Sequence, residues 1–207
     1  MTTNTRIPLS TRCDAVIGAH ALLRHPFYQA WSDGTLPVAA LRDYAREYGA
    51  FIGTIGAGWD AIGEPRIAGI EEGHASVWRR TFAAGLETAV AEPQVPEVAQ
   101  LVALSEALFA APVTALGALY AFEAQQPKTA QSKLAGLRAH YTALPAACGE
   151  YFRLHEHDDA EPALLAEKLD GLGPAEQAEA LAACERMSRA LYDALSGVYA
   201  RYAAACN

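Results

Sequence analysis

Hydrophobic residues recur about every 3.6 positions along most of the chain, the spacing of one buried face of an α-helix. This periodicity predicts seven helices, separated at prolines, glycines and short polar turns. They are expected at residues 9–28, 36–62, 66–86, 97–110, 112 to beyond 127, from 145 onwards, and 175–204. Pro127 is expected to kink or break the fifth helix, and Pro162 to end or bend the sixth. We therefore predict an all-α protein in which residues 1–207 form a single domain.

Composition supports this prediction and excludes several classes of protein. The sequence has 207 residues, is 52% hydrophobic and carries a formal net charge of −8, so it lacks the basic surface of a nucleic-acid binder. No apolar segment is long enough to span a membrane, and residues 1–20 do not resemble a signal peptide. The four cysteines, Cys13, Cys148, Cys184 and Cys206, form no C-x-x-C pair. We expect a cytoplasmic protein with reduced thiols.

A few carboxylates and histidines have the spacing of metal ligands. Glu71 and His74 lie three positions apart, and His155 and Asp159 four apart, so each pair shares a helix face. Glu123 lies among apolar residues, where an unpaired carboxylate is costly. Helical bundles hold two metal ions with such ligands when they converge from several helices. Each feature alone also fits a solvated helix surface or an interhelical ion pair.

Longer segments resemble the CADD-like proteins of the TenA/PqqC group of heme-oxygenase-like proteins, over about residues 20–200. They are HPFYQAWSDGTLPVAALRDYAREYGAF (25–51), EEGHASVWRRTFAAGL (71–86), YAFEAQQPKTAQSKLAGLRAHY (120–141) and YFRLHEHDDAEPA (151–163). The combination and its order make the resemblance specific. It implies a seven-helix heme-oxygenase-like bundle that holds no heme. It also implies two non-heme metal ions, iron and possibly manganese, which activate dioxygen.

The resemblance also implies a set of metal ligands. A Glu and a His on one helix, a Glu on the next long core helix, and a His-x-x-x-Asp-x-x-His run provide them in the family. The matching residues here are Glu71, His74, Glu123, His155 and Asp159.

The chain departs from the family pattern at two places. The spacing of the first Glu leaves Glu72 as an alternative to Glu71, although Glu71 shares a face with His74. Pro162 stands where the last His of the run is expected, and proline has no ligating side chain. Candidates for a replacement ligand are Glu156, His157, Asp158 and Glu161. The sequence does not choose among them.

CADD-like proteins make para-aminobenzoate for folate synthesis and are thought to consume a tyrosine of their own chain. The matching positions are Tyr28 and Tyr44, with Lys133 as the implied amino donor. By residue type alone, the tyrosines would be ordinary core aromatics and the lysine a solvated helix residue. The prediction is an oxygen-dependent enzyme with small-molecule partners, no nucleic-acid or membrane partner, and a homodimeric state as the default.

Three other functions remain open at this point. A di-metal oxidase of this kind could act on an external small molecule. A metal-free TenA-like hydrolase or PqqC-like oxidase is a second alternative, although the hydrolase needs a pocket cysteine, for which only Cys148 is a candidate. A helical interaction protein without catalytic activity is the third.

Overall fold

The computed structural model describes residues 7–203, and this part of the chain contains α-helices and no strand. The α-helices are α1 Leu9–Ala19, α2 Pro26–Ser32, α3 Val38–Ile52, α4 Ile55–Ala61, α5 Pro65–Val77, α6 Pro96–Leu108, α7 Pro112–Glu123, α8 Gln126–His140, α9 Glu150–His155, α10 Ala160–Asp170 and α11 Pro174–Ala200. The all-α prediction is confirmed, but the number of seven helices is wrong. Cys206 and both ends of the predicted domain lie outside the described residues.

Prolines and glycines divide the longer predicted helices. The predicted helix 36–62 is interrupted at Gly53, next to which the Thr54 hydroxyl donates a hydrogen bond to the Phe51 carbonyl at 2.8 Å. The predicted fifth helix is broken rather than kinked near Pro127, because α7 ends at Glu123 and Pro127 lies in the first turn of α8. The first turn tolerates proline since its N–H groups have no partner within the helix.

The predicted sixth helix is also divided, at a point that matters for the site. A 3₁₀ turn at Ala146–Gly149 leads into α9, which ends at His155, and α10 begins at Ala160. Residues 156–159 between them are not helical. The expectation that Pro162 ends or bends the helix is wrong, because Pro162 is the third residue of the new helix α10.

Helix α11 is the longest element and packs against α7, α6 and α1. Helix α7 is buried around its whole circumference from Ala115 to Glu123, so the carboxylate at its end lies deep in the protein. The thiols of Cys13, Cys148 and Cys184 are free and buried. None of the helices within residues 7–203 is long and apolar enough to cross a membrane.

A π-helical turn, Trp78–Ala83, continues α5. Such turns shift the side chains that follow around the helix axis and are frequent at functional sites. The Trp78 indole N–H donates to the Ala45 carbonyl at 2.8 Å, and a Cβ on Gly49 would come within 2.6 Å of the same nitrogen. Gly49 therefore permits the close approach of Trp78 to α3.

Candidate metal centre

Three side chains from two helices converge on one point. Glu71 and His74 come from α5 and His155 from α9, which packs against it. Their potential ligand atoms all lie within 4.8 Å of one another. The sequence predicted all three, and helix-face spacing explains why Glu71 and His74 point the same way. Glu72 is exposed, so Glu71 is the one that joins the cluster.

The orientation of His155 leaves one ring nitrogen free. Its Nδ1 lies 2.8 Å from the Tyr151 carbonyl, which only accepts, so Nδ1 carries the proton and donates. Its Nε2 is then an acceptor, and this buried atom has no hydrogen-bond partner within the described part of the chain. Burial lowers the pKa of His155 and favours the neutral ring. A buried neutral imidazole with a free lone pair is in the form that binds a metal ion.

Glu71 and His74 interact directly. The Oε1 atom of Glu71 and Nδ1 of His74 are 2.6 Å apart. Burial acts to lower the pKa of His74, but the hydrogen bond and the charge of Glu71 outweigh it and raise the pKa above its ordinary value. The ring of His74 also faces that of His155, with centroids 4.6 Å apart.

Glu123 lies beside this cluster at the end of α7. Its side chain is buried, and the Trp59 indole N–H donates to its Oε1 at 3.4 Å. Burial, followed by the negative charge of Glu71, raises the pKa of Glu123 well above its usual range. This residue was predicted as a ligand from the sequence, because an unpaired carboxylate among apolar residues is costly to bury.

Asp159 does not join the cluster. Since α9 ends at His155, Asp159 no longer lies one helical turn further along the same face, and its side chain is exposed. Glu161, in the first turn of α10, is buried instead. Burial, followed by the negative charges of Glu71 and Asp158, raises the pKa of Glu161 to about 8. In the sequence analysis, Glu161 was only one of several candidates for a replacement ligand.

The donor set fits a divalent metal ion. Glu71, Glu123 and Glu161 are buried together, and no ion pair within residues 7–203 neutralises Glu123 or Glu161. Buried carboxylates without a counter-charge are costly, and a dication would compensate them. Mixed carboxylate and imidazole ligands suit iron and manganese.

A second group of buried residues surrounds Lys133. The hydroxyls of Tyr28 and Tyr44 are hydrogen-bonded at 3.0 Å. The Lys133 amine lies 4.7 Å from the ring centroid of Tyr28 and 5.7 Å from that of Tyr44. Burial lowers the pKa of Lys133 to about 7, so a large part of this amine is neutral at neutral pH. The structure thus brings the three predicted catalytic residues into contact.

Aromatic rings connect the two groups without interruption. The ring of His155 lies 4.4 Å from Tyr151, and Tyr151 lies 4.9 Å from Trp78, measured between centroids. Trp78 lies 5.7 Å from Tyr44, whose ring centroid is 6.2 Å from Tyr28. Trp78 was not among the site residues predicted from the sequence. Its position depends on the π-helical turn, which no local pattern indicated.

Residues 40–192 match the family model described as "Iron-containing redox enzyme", of the heme-oxygenase type. The chain belongs to this family. The matched range contains both histidines of the cluster and all its carboxylates. Membership of the iron-containing redox enzymes identifies the chain as an oxidoreductase, as predicted, and agrees with a donor set suited to iron.

Two proteins similar to this chain are named for the product 4-aminobenzoate. A 4-aminobenzoate synthase of Nitrosomonas europaea is 30% identical over 242 aligned positions, which cover 99% of this chain and 95% of that protein. A 4-aminobenzoate synthase of Chlamydia pneumoniae is 31% identical over 171 positions, 72% of this chain and 75% of that one. These matches confirm the resemblance found in the sequence.

Solved structures share the fold. A TenA homolog from Pseudomonas syringae pv. tomato has a TM-score of 0.73 at 17% identity and covers 93% of this chain and 91% of its own. A CADD-like protein from Nostoc punctiforme has a TM-score of 0.68 at 19% identity, with 95% of each chain covered. This chain therefore has the TenA-like helical fold.

Proposed function

We propose that this chain binds two non-heme metal ions, iron alone or iron with manganese, and uses dioxygen to form 4-aminobenzoate from its own Tyr28. The observation that carries the proposal is the buried amine of Lys133, held 4.7 Å from the centre of the Tyr28 ring. The names of the two relatives support the product. A role of this chain in folate synthesis in the cytoplasm is part of the same proposal.

The carbon skeleton of tyrosine matches that of 4-aminobenzoate. The six ring carbons and Cβ make seven carbons, and Cβ lies para to the hydroxyl, as the carboxylate lies para to the amine in the product. Forming the product from Tyr28 requires replacing the hydroxyl by nitrogen, with its oxygen leaving as water, oxidising Cβ to a carboxylate and breaking the Cα–Cβ bond, with dioxygen as the oxidant. Transfer of the nitrogen from Lys133 would also break the Nζ–Cε bond and leave Cε oxidised to an aldehyde. Lys133 is the proposed source of nitrogen, because a neutral amine is the nucleophilic form and burial lowers its pKa to about 7.

The metal ions would supply dioxygen activation when bound. The chain's own residues hold them, with Glu71, His74, Glu123 and His155 as the proposed ligands. The phenol of Tyr28 stays protonated, since burial raises its pKa. The surrounding aromatic core keeps water away from the oxidised ring and limits side reactions.

The burial of these residues favours the chain's own side chain over an external substrate. Tyr28 is 2% exposed, Tyr44 is fully buried and Lys133 is 5% exposed, so a second aromatic ring has no room beside the amine. The metal-free hydrolase alternative gains nothing from Cys148, because burial raises the pKa of its thiol and leaves a poor nucleophile.

Isotope labelling tests whether the ring carbons of the product come from tyrosine. Protein produced with ring-¹³C-labelled tyrosine is loaded anaerobically with Fe(II) and Mn(II), given reductant and exposed to dioxygen. We expect labelled 4-aminobenzoate, at no more than one per chain, and a matching mass loss in the peptide that contains Tyr28. Metal-loaded protein that yields no product, or yields it while Tyr28 stays intact, would contradict the proposal.

The chain of rings leads to a prediction about Tyr151. An electron leaving Tyr28 has a path towards the cluster over short ring contacts, and Tyr151 lies between His155 and Trp78 in that path. Tyr151→Phe keeps the ring but removes the easily oxidised phenol. We expect the loss of Tyr28 to slow by at least about ten-fold, with the same metal content as wild type.

Tyr48→Phe is the matched control for this prediction. Tyr48 is equally buried and stacks on Tyr44 at 4.9 Å, but it lies beside the path from His155 to Tyr28. Its single-turnover rate is expected to stay within two-fold of wild type, about 0.4 kcal/mol in barrier height. Equal rates in all three proteins, measured by quenched-flow peptide mass spectrometry, would rule out a role for the Tyr151 phenol.

A further inference from the structure

The family pattern after His155 has no counterpart in this fold. It requires an Asp and a His one and two helical turns beyond the first His, on one continuous face. Here α9 ends at His155, the exposed Asp159 follows the non-helical turn, and position 162 is proline. Neither of the two expected positions offers a side chain to the cluster.

Glu161 is a buried carboxylate between the two positions at which the family pattern fails. It is the second residue of α10, and α10 packs against α7, whose last residue is Glu123. Its side chain is 8% exposed, and its carboxylate has no hydrogen-bond or ion-pair partner among residues 7–203. The charges of Glu71 and His74 both act on it, so it lies within electrostatic range of the cluster.

The free Nε2 of His155 independently indicates a ligand at this point. This atom is buried away from water and has no hydrogen-bond partner within the described residues. The potential ligand atoms of His155, Glu71 and His74 lie within 4.8 Å of one another. A buried acceptor of this kind costs free energy unless a cation or a donor occupies the space in front of it.

We propose that Glu161 is a metal ligand of this protein and takes the place of the imidazole that Pro162 cannot provide. The assignment rests on the proposed function, because it concerns the same metal centre. It replaces one neutral ligand by an anionic one and leaves three buried carboxylates with two imidazoles. An oxygen-rich set of this kind favours Mn(II) and Fe(II) over softer metals.

Anaerobic titration with Mn(II) alone tests the assignment without any turnover. Free Mn(II) is counted by its electron paramagnetic resonance signal, and circular dichroism verifies the fold of each variant. Wild type is expected to bind two ions per chain. Glu161→Gln should weaken at least one of them by at least about ten-fold. The control Asp159→Asn removes an exposed carboxylate two residues away and should bind both ions as wild type does.

Every other outcome of the Mn(II) titration contradicts either the assignment of Glu161 as a ligand or the proposed function. Wild-type affinity in Glu161→Gln, or weakening only in Asp159→Asn, would overturn the ligand assignment and leave the proposed function intact. Weakening in both variants would also overturn it, because the 156–161 segment as a whole would then be responsible. A folded wild-type protein that binds no Mn(II) or Fe(II) would overturn the proposed function itself.

Discussion

Replacing Lys133 by methionine is expected to make the protein more stable and to abolish 4-aminobenzoate formation. Methionine has a similar length and no charge, so it fits an aromatic pocket from which a charged amine is excluded. The lowered pKa of about 7, against an ordinary value of 10.5, means that wild type gives up stability to hold this amine. One pKa unit corresponds to about 1.4 kcal/mol. After allowance for attraction between the amine and the rings, we expect a gain of roughly 3 kcal/mol near pH 6.

The gain should depend on pH in a defined direction. Between pH 7 and 10.5 the unfolded wild-type chain binds more protons at Lys133 than the folded chain, so wild-type stability rises with pH. The penalty is complete below pH 7 and fades as pH approaches 10.5. The advantage of Lys133→Met, measured by urea unfolding at pH 6, 7.5 and 9, should therefore shrink as pH rises.

Lys128→Met is the matched control. Lys128 lies on the same helix, α8, but is exposed. Its substitution should change the unfolding free energy by no more than about 0.5 kcal/mol at any of these pH values. A Lys133→Met variant that is less stable than wild type, or whose gain is the same at all three pH values, would be inconsistent with a buried neutral amine.

Tyr28→Phe is expected to eliminate product formation while leaving metal binding unchanged. Phenylalanine keeps the ring packed but lacks the hydroxyl oxygen, whose replacement by nitrogen is one step of the proposed reaction. Its ring is also much harder to oxidise. The hydrogen bond to Tyr44 is lost, at a cost of about 1 kcal/mol. The measurement is 4-aminobenzoate per chain after one exposure of the metal-loaded protein to dioxygen.

Tyr44→Phe separates the lost hydrogen bond from the lost substrate. It removes the same contact between the two hydroxyls from the other side, yet leaves the Tyr28 phenol in place. We expect a reduced yield, with the matching mass loss still in the peptide that contains Tyr28. Undiminished product from Tyr28→Phe would show that the ring comes from elsewhere and would restore the external-substrate alternative.

Local sequence patterns were sufficient to predict most of the side chains of the candidate metal centre. Helical spacing predicted that Glu71 and His74 share a face, and the cost of burying a carboxylate singled out Glu123. The same reasoning failed at Asp159, because it assumed one continuous helix through residues 151–163. Where a helix stops depends on what packs around its end, and a proline in the sequence does not reveal whether it ends one helix or lies in the first turn of the next.

The burial of Lys133 also could not be predicted from local sequence patterns, because it too depends on tertiary packing. A lysine on a helix is solvated unless neighbouring elements cover it, and here α2 and α9 pack against α8 on that side. The resemblance to the CADD-like proteins indicated the residue, but the residue type alone favoured the surface. The ring contacts of Trp78 could not be predicted locally either, because they depend on a π-helical turn within the packed protein.

The burial of Tyr28 has a consequence for the lifetime of the protein. Its ring is surrounded by those of Phe27, Trp31 and Tyr44. A chain that had given up this side chain would keep a hole in the middle of its core, at a cost of about 3–5 kcal/mol. That is a large share of the stability of an ordinary domain. Molecules that had reacted would therefore unfold more often than molecules that had not, and proteases would remove them first. The supply of the product would then follow the rate of synthesis of the protein.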